Sequence, residues 1–176
     1  MTIKTIFLDR DGVINHEVNY LHKIEDFKFI DGVFESCRYF QKLGFKIIII
    51  SNQSGIGRGY YSLEEYYNLT EWLKNEFIKN KIEIYDIFFC PHHPEKNCFC
   101  RKPKPGMFLN AKNKHEIDMK NSWMIGDKES DISAARSSGV TNTILLKSGH
   151  KIDENNTSAK YILESIKDAI GVIQNM

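Results

Sequence analysis

Short apolar runs along the chain alternate with longer amphipathic stretches. Five of these runs are almost wholly apolar: residues 5–8, 46–50, 85–89, 122–125 and 143–146. The second contains four successive isoleucines, Ile47 to Ile50. Continuous rather than alternating runs are expected of strands buried on both faces of a parallel sheet. Helical patterns fill the gaps. Asp31 is placed to cap a helix that reaches about Leu43 and stops at Gly44. Ser62 and Glu65 have capping-box spacing ahead of 66–79. Helices are also expected over 106–114, over 132–138 before Gly139, and from Ser165 to about Ile173. Strands alternating with helices imply βαβ units. The predicted fold is a doubly wound, Rossmann-like α/β domain with helices on both faces, and all 176 residues are read as one domain.

Composition narrows the class. The formal net charge is +1, so nothing global draws the chain to nucleic acid or to an anionic membrane, and any anion recognition is local. No apolar run approaches the length of a membrane span. The apolar segment before Asp9 is too short for a signal peptide, so a cytoplasmic location is expected. A monomer acting on a small molecule is the default expectation.

The chemistry gathers at the predicted strand ends. The first strand runs into Asp9, the second into Ser51-Asn52-Gln53, the third into Cys90 and the fourth into Gly126-Asp127. Ligands of open α/β sheets bind beyond the carboxyl ends of the strands. In Phe7-Leu8-Asp9-Arg10-Asp11-Gly12, two carboxylates two residues apart point to one side of an extended segment. They repel unless a cation lies between them, and Mg²⁺, with its preference for oxygen ligands and phosphate, suits that place. One Asp can then attack phosphorus while the other moves protons. Asp-Gly is also a common turn. Ser51 can donate to a phosphoryl oxygen or cap a turn. Lys102, in Arg101-Lys102-Pro103-Lys104-Pro105-Gly106, can neutralise phosphoryl charge or belong to a solvated loop. Asp127 can complete a Mg²⁺ site, and Asp131 reads as a helix N-cap.

This ordered set resembles the haloacid dehalogenase superfamily of phosphotransferases. The resemblance covers nearly the whole chain. It implies Asp9 as nucleophile, Asp11 as general acid/base, Ser51 and Lys102 as holders of the phosphoryl group, and Mg²⁺ bound by Asp9, Asp127 and the backbone carbonyl of Asp11.

Three of the four cysteines lie between Cys90 and Cys100, with His92 and His93 among them. In a reducing compartment this clustering favours metal over disulfide. Cys90, His92, Cys98 and Cys100 make a Cys₃His set for a structural Zn²⁺, with His93 as the competing imidazole. A zinc loop at about 90–100 is similar to one branch of the superfamily, which has no large cap domain. That branch holds the D-glycero-D-manno-heptose 1,7-bisphosphate 7-phosphatases and the histidinol-phosphate phosphatases. The elements Gln53-Ser54-Gly55-Ile56-Gly57-Arg58-Gly59 and Asp127-Lys128 resemble the heptose enzymes. There Ser51 stands where Thr is frequent, and Val13 likewise.

The resemblance implies substrate contacts from Arg10, Glu17, Val18, Asn19, Tyr20, Asn52, Gln53 and Ser54, with Arg101 and Lys128 holding a second phosphate. It also implies a sugar phosphate as partner and a place in nucleotide-activated heptose supply for surface glycans such as lipopolysaccharide. The residues by themselves read 17–20 as a surface loop and Cys37 as core. A histidinol-phosphate phosphatase, another small phosphomonoesterase and a catalytically silent zinc-stabilised binding module are the competing readings.

Overall fold

The structure, a computed structural model, describes residues 2–173. Six strands form one sheet: β1 (Thr5–Leu8), β2 (Lys46–Asn52), β3 (Ile84–Cys90), β4 (Trp123–Gly126), β5 (Asn142–Leu146) and β6 (Tyr161–Leu163). Their order is β3-β2-β1-β4-β5-β6, and every neighbouring pair is parallel. The helices are α1 (Val33–Lys42), α2 (Ser54–Gly57), α3 (Leu63–Lys79), α4 (Gly106–His115), α5 (Glu129–Ser137) and α6 (Ala169–Val172).

Side-chain alternation sorts the apolar runs onto two faces. Ile6, Leu8, Ile47, Ile49, Ile125 and Ile144 pack with Phe40 of α1 and with Leu69, Leu73 and Phe77 of α3. Phe7, Ile48, Ile50 and Met124 point the other way, onto Met107 and Phe108 of α4 and Ala134 and Ala135 of α5. Every one of the four isoleucines of β2 is therefore buried, two per face. At about 1.5–3 kcal/mol per buried side chain of this size, they are a large part of what holds the sheet between its helical layers.

The capping box ahead of α3 forms as its spacing predicts: Glu65 N donates to Ser62 Oγ at 3.1 Å and Ser62 N donates to Glu65 Oε2 at 2.8 Å. Gly44 closes α1 with φ +83°. Two expectations fail and a third is met in part. Gly32, not Asp31, occupies the N-cap of α1, again at φ +83°, and Asp31 stands in solvent 3.9 Å from Lys167. α5 begins at Glu129 rather than at Ile132, because Asp131 is its third residue and not its cap. The expected last helix is a 3₁₀ turn, Ile166–Asp168, followed by the four residues of α6, and β6 precedes it unannounced.

Strand order sets the site. From β1 the chain crosses to β2 and β3 on one side, then returns to β4 and continues to β5 on the other. The order reverses between β1 and β4, and the carboxyl ends of these two strands carry Asp9 and Asp127.

Candidate active site

Asp9 follows β1 directly, and its backbone N–H donates to Ile125 O of β4 at 3.1 Å, which fixes it at the switch point. Its carboxylate is buried. Lys102 approaches from the loop before α4. Its ammonium donates to Asp9 Oδ1 at 2.9 Å and to Ile50 O at 2.7 Å, and pairs with Asp131 Oδ1 at 2.6 Å. The three donors of a lysine thus meet three acceptors. Burial alone would lower the Lys102 pKa, but the Asp131 and Asp9 carboxylates outweigh it and hold the group above its ordinary value. The Asn52 side chain, at the end of β2, grips the Lys102 backbone from both sides: Nδ2 donates to Lys102 O at 3.1 Å and Oδ1 accepts from Lys102 N at 3.0 Å.

Asp9, Asp127 and Asp131 bring carboxylate oxygens within 4.8 Å of one another. Against three acids stands one lysine. Burial pushes the Asp9 carboxyl well up, Lys102 opposes it, and Asp131 and Asp127 push it further up. Such an arrangement calls for a cation. The acids are not equivalent. Asp131 Oδ2 accepts from the backbone N–H groups of Asp127 and Lys128, both at 3.1 Å, and its Oδ1 faces Lys102, so both oxygens are engaged. Asp127 Oδ2 accepts from His150. Asp127 Oδ1 is buried and has no hydrogen-bond partner among the described residues. An orphaned carboxylate oxygen beside a second buried acid is what an oxygen-ligated divalent cation fits.

Asp11 is turned away from this cluster. The Arg10 guanidinium holds it through Nε and Nη2 at 3.0–3.3 Å, Asn15 Nδ2 donates to it at 3.0 Å and Gln53 Nε2 at 3.2 Å. Gln53 also donates to Ser51 Oγ at 2.7 Å and accepts from Tyr61 OH at 2.5 Å. Gln53 therefore links the expected proton-transfer acid to the expected phosphoryl donor.

In the loop after β3, the sulfurs of Cys90, Cys98 and Cys100 and Nδ1 of His92 lie 3.2–3.5 Å from one another along five contacts. No disulfide joins them. A tetrahedral metal with Zn–S bonds of ~2.3 Å needs its sulfur ligands about 3.8 Å apart, a little wider than these contacts. His93 is not in the cluster; its Nδ1 accepts from Glu95 N instead. The sequence left the choice between these imidazoles open, and the backbone settles their placement.

Comparison with known proteins supports this picture. A family model described as HAD-hydrolase-like matches residues 99–169. A D-glycero-alpha-D-manno-heptose-1,7-bisphosphate 7-phosphatase of Photorhabdus laumondii is 49% identical over 159 residues, covering 86% of this chain and 87% of the relative. A D-glycero-beta-D-manno-heptose-1,7-bisphosphate 7-phosphatase of Vibrio cholerae is 45% identical over 176 residues, covering 96% and 95%. The chain belongs to the heptose-1,7-bisphosphate 7-phosphatase family. Its fold is also that of the D,D-heptose 1,7-bisphosphate phosphatase from B. bronchiseptica, solved with magnesium and phosphate: TM-score 0.84 at 23% identity, covering 97% of both chains.

In this member of the heptose-1,7-bisphosphate 7-phosphatase family, a cleft of about 460 Å³ opens above Asp9 and Asp11. Glu17, Val18, Asn19 and Tyr20 line it together with Ser54, Arg101 and Lys128. Arg10, Asn52 and Gln53 also line it; Asn52 is engaged by the Lys102 backbone and Gln53 by Ser51, Asp11 and Tyr61, whereas Arg10 gives Nε and Nη2 to Asp11 and the Leu21 carbonyl and keeps a buried Nη1 with no partner among the described residues. Burial pushes the Glu17 carboxyl up, and Asp11 adds to the shift. Sequence reasoning gave no site role to Arg58, Tyr61, Ser130, Asp131 or His150, all of which line the cleft. Arg58 was visible as the arginine of the Gln-Ser-Gly-Ile-Gly-Arg-Gly element, and Asp131 as a second acid four residues after Asp127. His150 stands just beyond the carboxyl end of β5, where the strand-end rule points.

Proposed function

We propose that this chain is a Mg²⁺-dependent phosphatase that removes the 7-phosphate of D-glycero-D-manno-heptose 1,7-bisphosphate. The observation that carries the reading is the pairing of a buried Asp9, held by Lys102, with an Asp127 oxygen that has no protein partner. The relatives named above supply the substrate class.

In this reading an Asp9 carboxylate oxygen attacks phosphorus, the bond from phosphorus to the sugar oxygen breaks, and Asp11 protonates the leaving oxygen. Asp11 then takes a proton from water, and the oxygen of that water displaces Asp9 and releases phosphate. Arg10, Asn15 and Gln53 hold Asp11 away from the Asp9 cluster in the structure, so Asp11 must turn toward the leaving oxygen for these transfers. Ser51 and Lys102 hold the phosphoryl oxygens, and Asp131 anchors Lys102. Mg²⁺ would be held by Asp9, Asp127 and the Asp11 carbonyl, where it neutralises charge on the phosphoryl group. Zn²⁺ on Cys90, His92, Cys98 and Cys100 would have no open position and would act by fixing the loop that leads into Arg101 and Lys102. Glu17, Val18, Asn19 and Tyr20 face the sugar. The cell compartment is the cytoplasm and the working unit a single chain. The product enters nucleotide-activated heptose supply for surface glycans.

The direct test is phosphate release from a panel of phosphorylated metabolites. Heptose 1,7-bisphosphate should exceed histidinol phosphate by a large margin in kcat/KM, and the reverse order would reject the assignment. Arg101 refines it. Its Nη1 is buried without a partner among the described residues, as is Nε of Arg58, which also lines the cleft. A charged hydrogen bond contributes about 1.5–3 kcal/mol. Arg101→Ala should therefore reduce kcat/KM on the bisphosphate about 10–100-fold more than on a simple monophosphate. Equal losses on both would assign Arg101 to support of the site. For the Cys₃His cluster, metal analysis of reduced protein should find about one Zn²⁺ per chain. Cys98→Ser or Cys100→Ser should lower that content and reduce activity in a way that added Mg²⁺ does not restore. Reduced protein free of zinc and fully active would refute the assignment.

A further inference from the structure

We propose that His150 is a positioning residue that fixes the Asp127 carboxylate in the orientation a divalent cation requires. The inference rests on the reading of Asp127 as a cation ligand and extends it to a residue outside the motifs that carry the family resemblance.

Asp127 is fully buried, yet its two oxygens differ completely in their surroundings. Oδ2 takes two hydrogen bonds from one residue: the His150 backbone N–H donates at 3.0 Å and ring Nδ1 at 2.5 Å. The second contact places the ring proton on Nδ1, because a carboxylate only accepts. Oδ1 receives nothing. Two glycines enclose the same carboxylate. A side chain at Gly12, where φ is +88°, or at Gly149 would collide with it. Ser148 Oγ donates to Gly12 O at 2.9 Å and joins the two glycine loops. The carboxylate thus sits in a slot between two backbones, with His150 deciding which oxygen is occupied and which is left without a partner. Ligating carboxylates are commonly oriented by such an outer hydrogen bond, and its loss costs roughly 10–100-fold in metal affinity. His150 also borders the cleft, and nothing in the mechanism above uses it.

A plain structural role is a different claim: the 148–150 loop would loosen while cation affinity stayed put. The two are separated by measuring binding directly on the full-length chain without substrate. Mn²⁺ binding is followed by electron paramagnetic resonance, with Mg²⁺ as competitor, for wild type, His150→Ala and His150→Asn. The Asn side chain offers an amide N–H close to the place of Nδ1. His150→Ala should bind Mn²⁺ and Mg²⁺ about ten-fold more weakly, at the low end of that range because the backbone N–H remains. The Mg²⁺ concentration for half-maximal phosphatase activity should rise by the same factor, and His150→Asn should stay within two- to three-fold of wild type. If His150→Ala binds as tightly as wild type, or if Asn fails to rescue, the assignment of His150 is wrong while the phosphatase reading stands. If wild type itself binds no divalent cation, the reading of Asp127 fails and this inference fails with it. Thermal melting of the metal-free variants shows whether each is folded, and the Asn variant keeps the test decisive if the Ala variant is not.

Discussion

Asp9→Asn should abolish turnover while the protein stays folded. The substitution removes the attacking oxygen and keeps the size of the side chain. Loss of a nucleophile commonly lowers kcat by several orders of magnitude, on the order of 10⁶-fold where a catalytic unit is broken. A steady-state assay with Mg²⁺ checks the rate, and near-normal kcat would overturn the aspartyl-phosphate route. Stability should move the other way. Burial pushes the Asp9 carboxyl up, Lys102 offsets part of that, and the neighbouring acids add to it. An acid whose folded pKa is raised binds more protons folded than unfolded. Its contribution is complete below the ordinary carboxylate range and is lost as pH rises toward the folded pKa. Asp86, Asp118 and Glu129 are held low and act with the opposite sign, so the prediction is for the difference: metal-free Asp9→Asn should gain stability relative to metal-free wild type as pH rises across that window. Denaturant titrations at two pH values, with a chelator present, test the sign.

Lys102→Met should be strongly destabilising. It keeps much of the volume and removes the one ammonium that meets Asp9 and Asp131. All three groups are buried. Breaking a buried ion pair by deleting one partner costs about 3–5 kcal/mol, because the remaining charge has no solvent. The loss should be largest without metal and smaller with Mg²⁺ present. Equal loss in both conditions would mean that Lys102 acts through packing alone. Activity should vanish under either condition.

Much of this architecture is legible in the residues because burial and conformation coincide. The isoleucines of β2 can be satisfied only between two apolar layers, and the capping box at Ser62 is a local arrangement with a fixed spacing. The misses fall where local and long-range preferences part. β6 is three residues long, half-exposed and at the sheet edge, so its apolar signal is faint. α2 is a four-residue turn of helix that contains two glycines. Asp31 lost the N-cap to Gly32 because the chain there adopts a left-handed conformation that favours glycine. In the site, Asp9, Asp11, Ser51, Lys102 and Asp127 announced themselves by lying at strand ends or loop mouths. Asp131 did not, because a first-turn acid usually faces solvent, whereas here Lys102 and two backbone N–H groups keep it inside. His150 carries no motif at all; only its contact with Asp127 sets it apart.

The four partners of Lys102 also bear on the order of assembly. Its contacts reach 93 residues back to Asp9, 52 back to Ile50 and 50 back to Asn52, and its remaining partner, Asp131, has yet to be synthesised when the lysine emerges. Each contact closes a long loop, so the cost in chain entropy precedes the gain. A nascent chain that ends before α5 holds Lys102 with one acid instead of two. The complete charged centre thus needs residues from the ends of β1 and β2, from the loop before α4 and from α5 to be in place together.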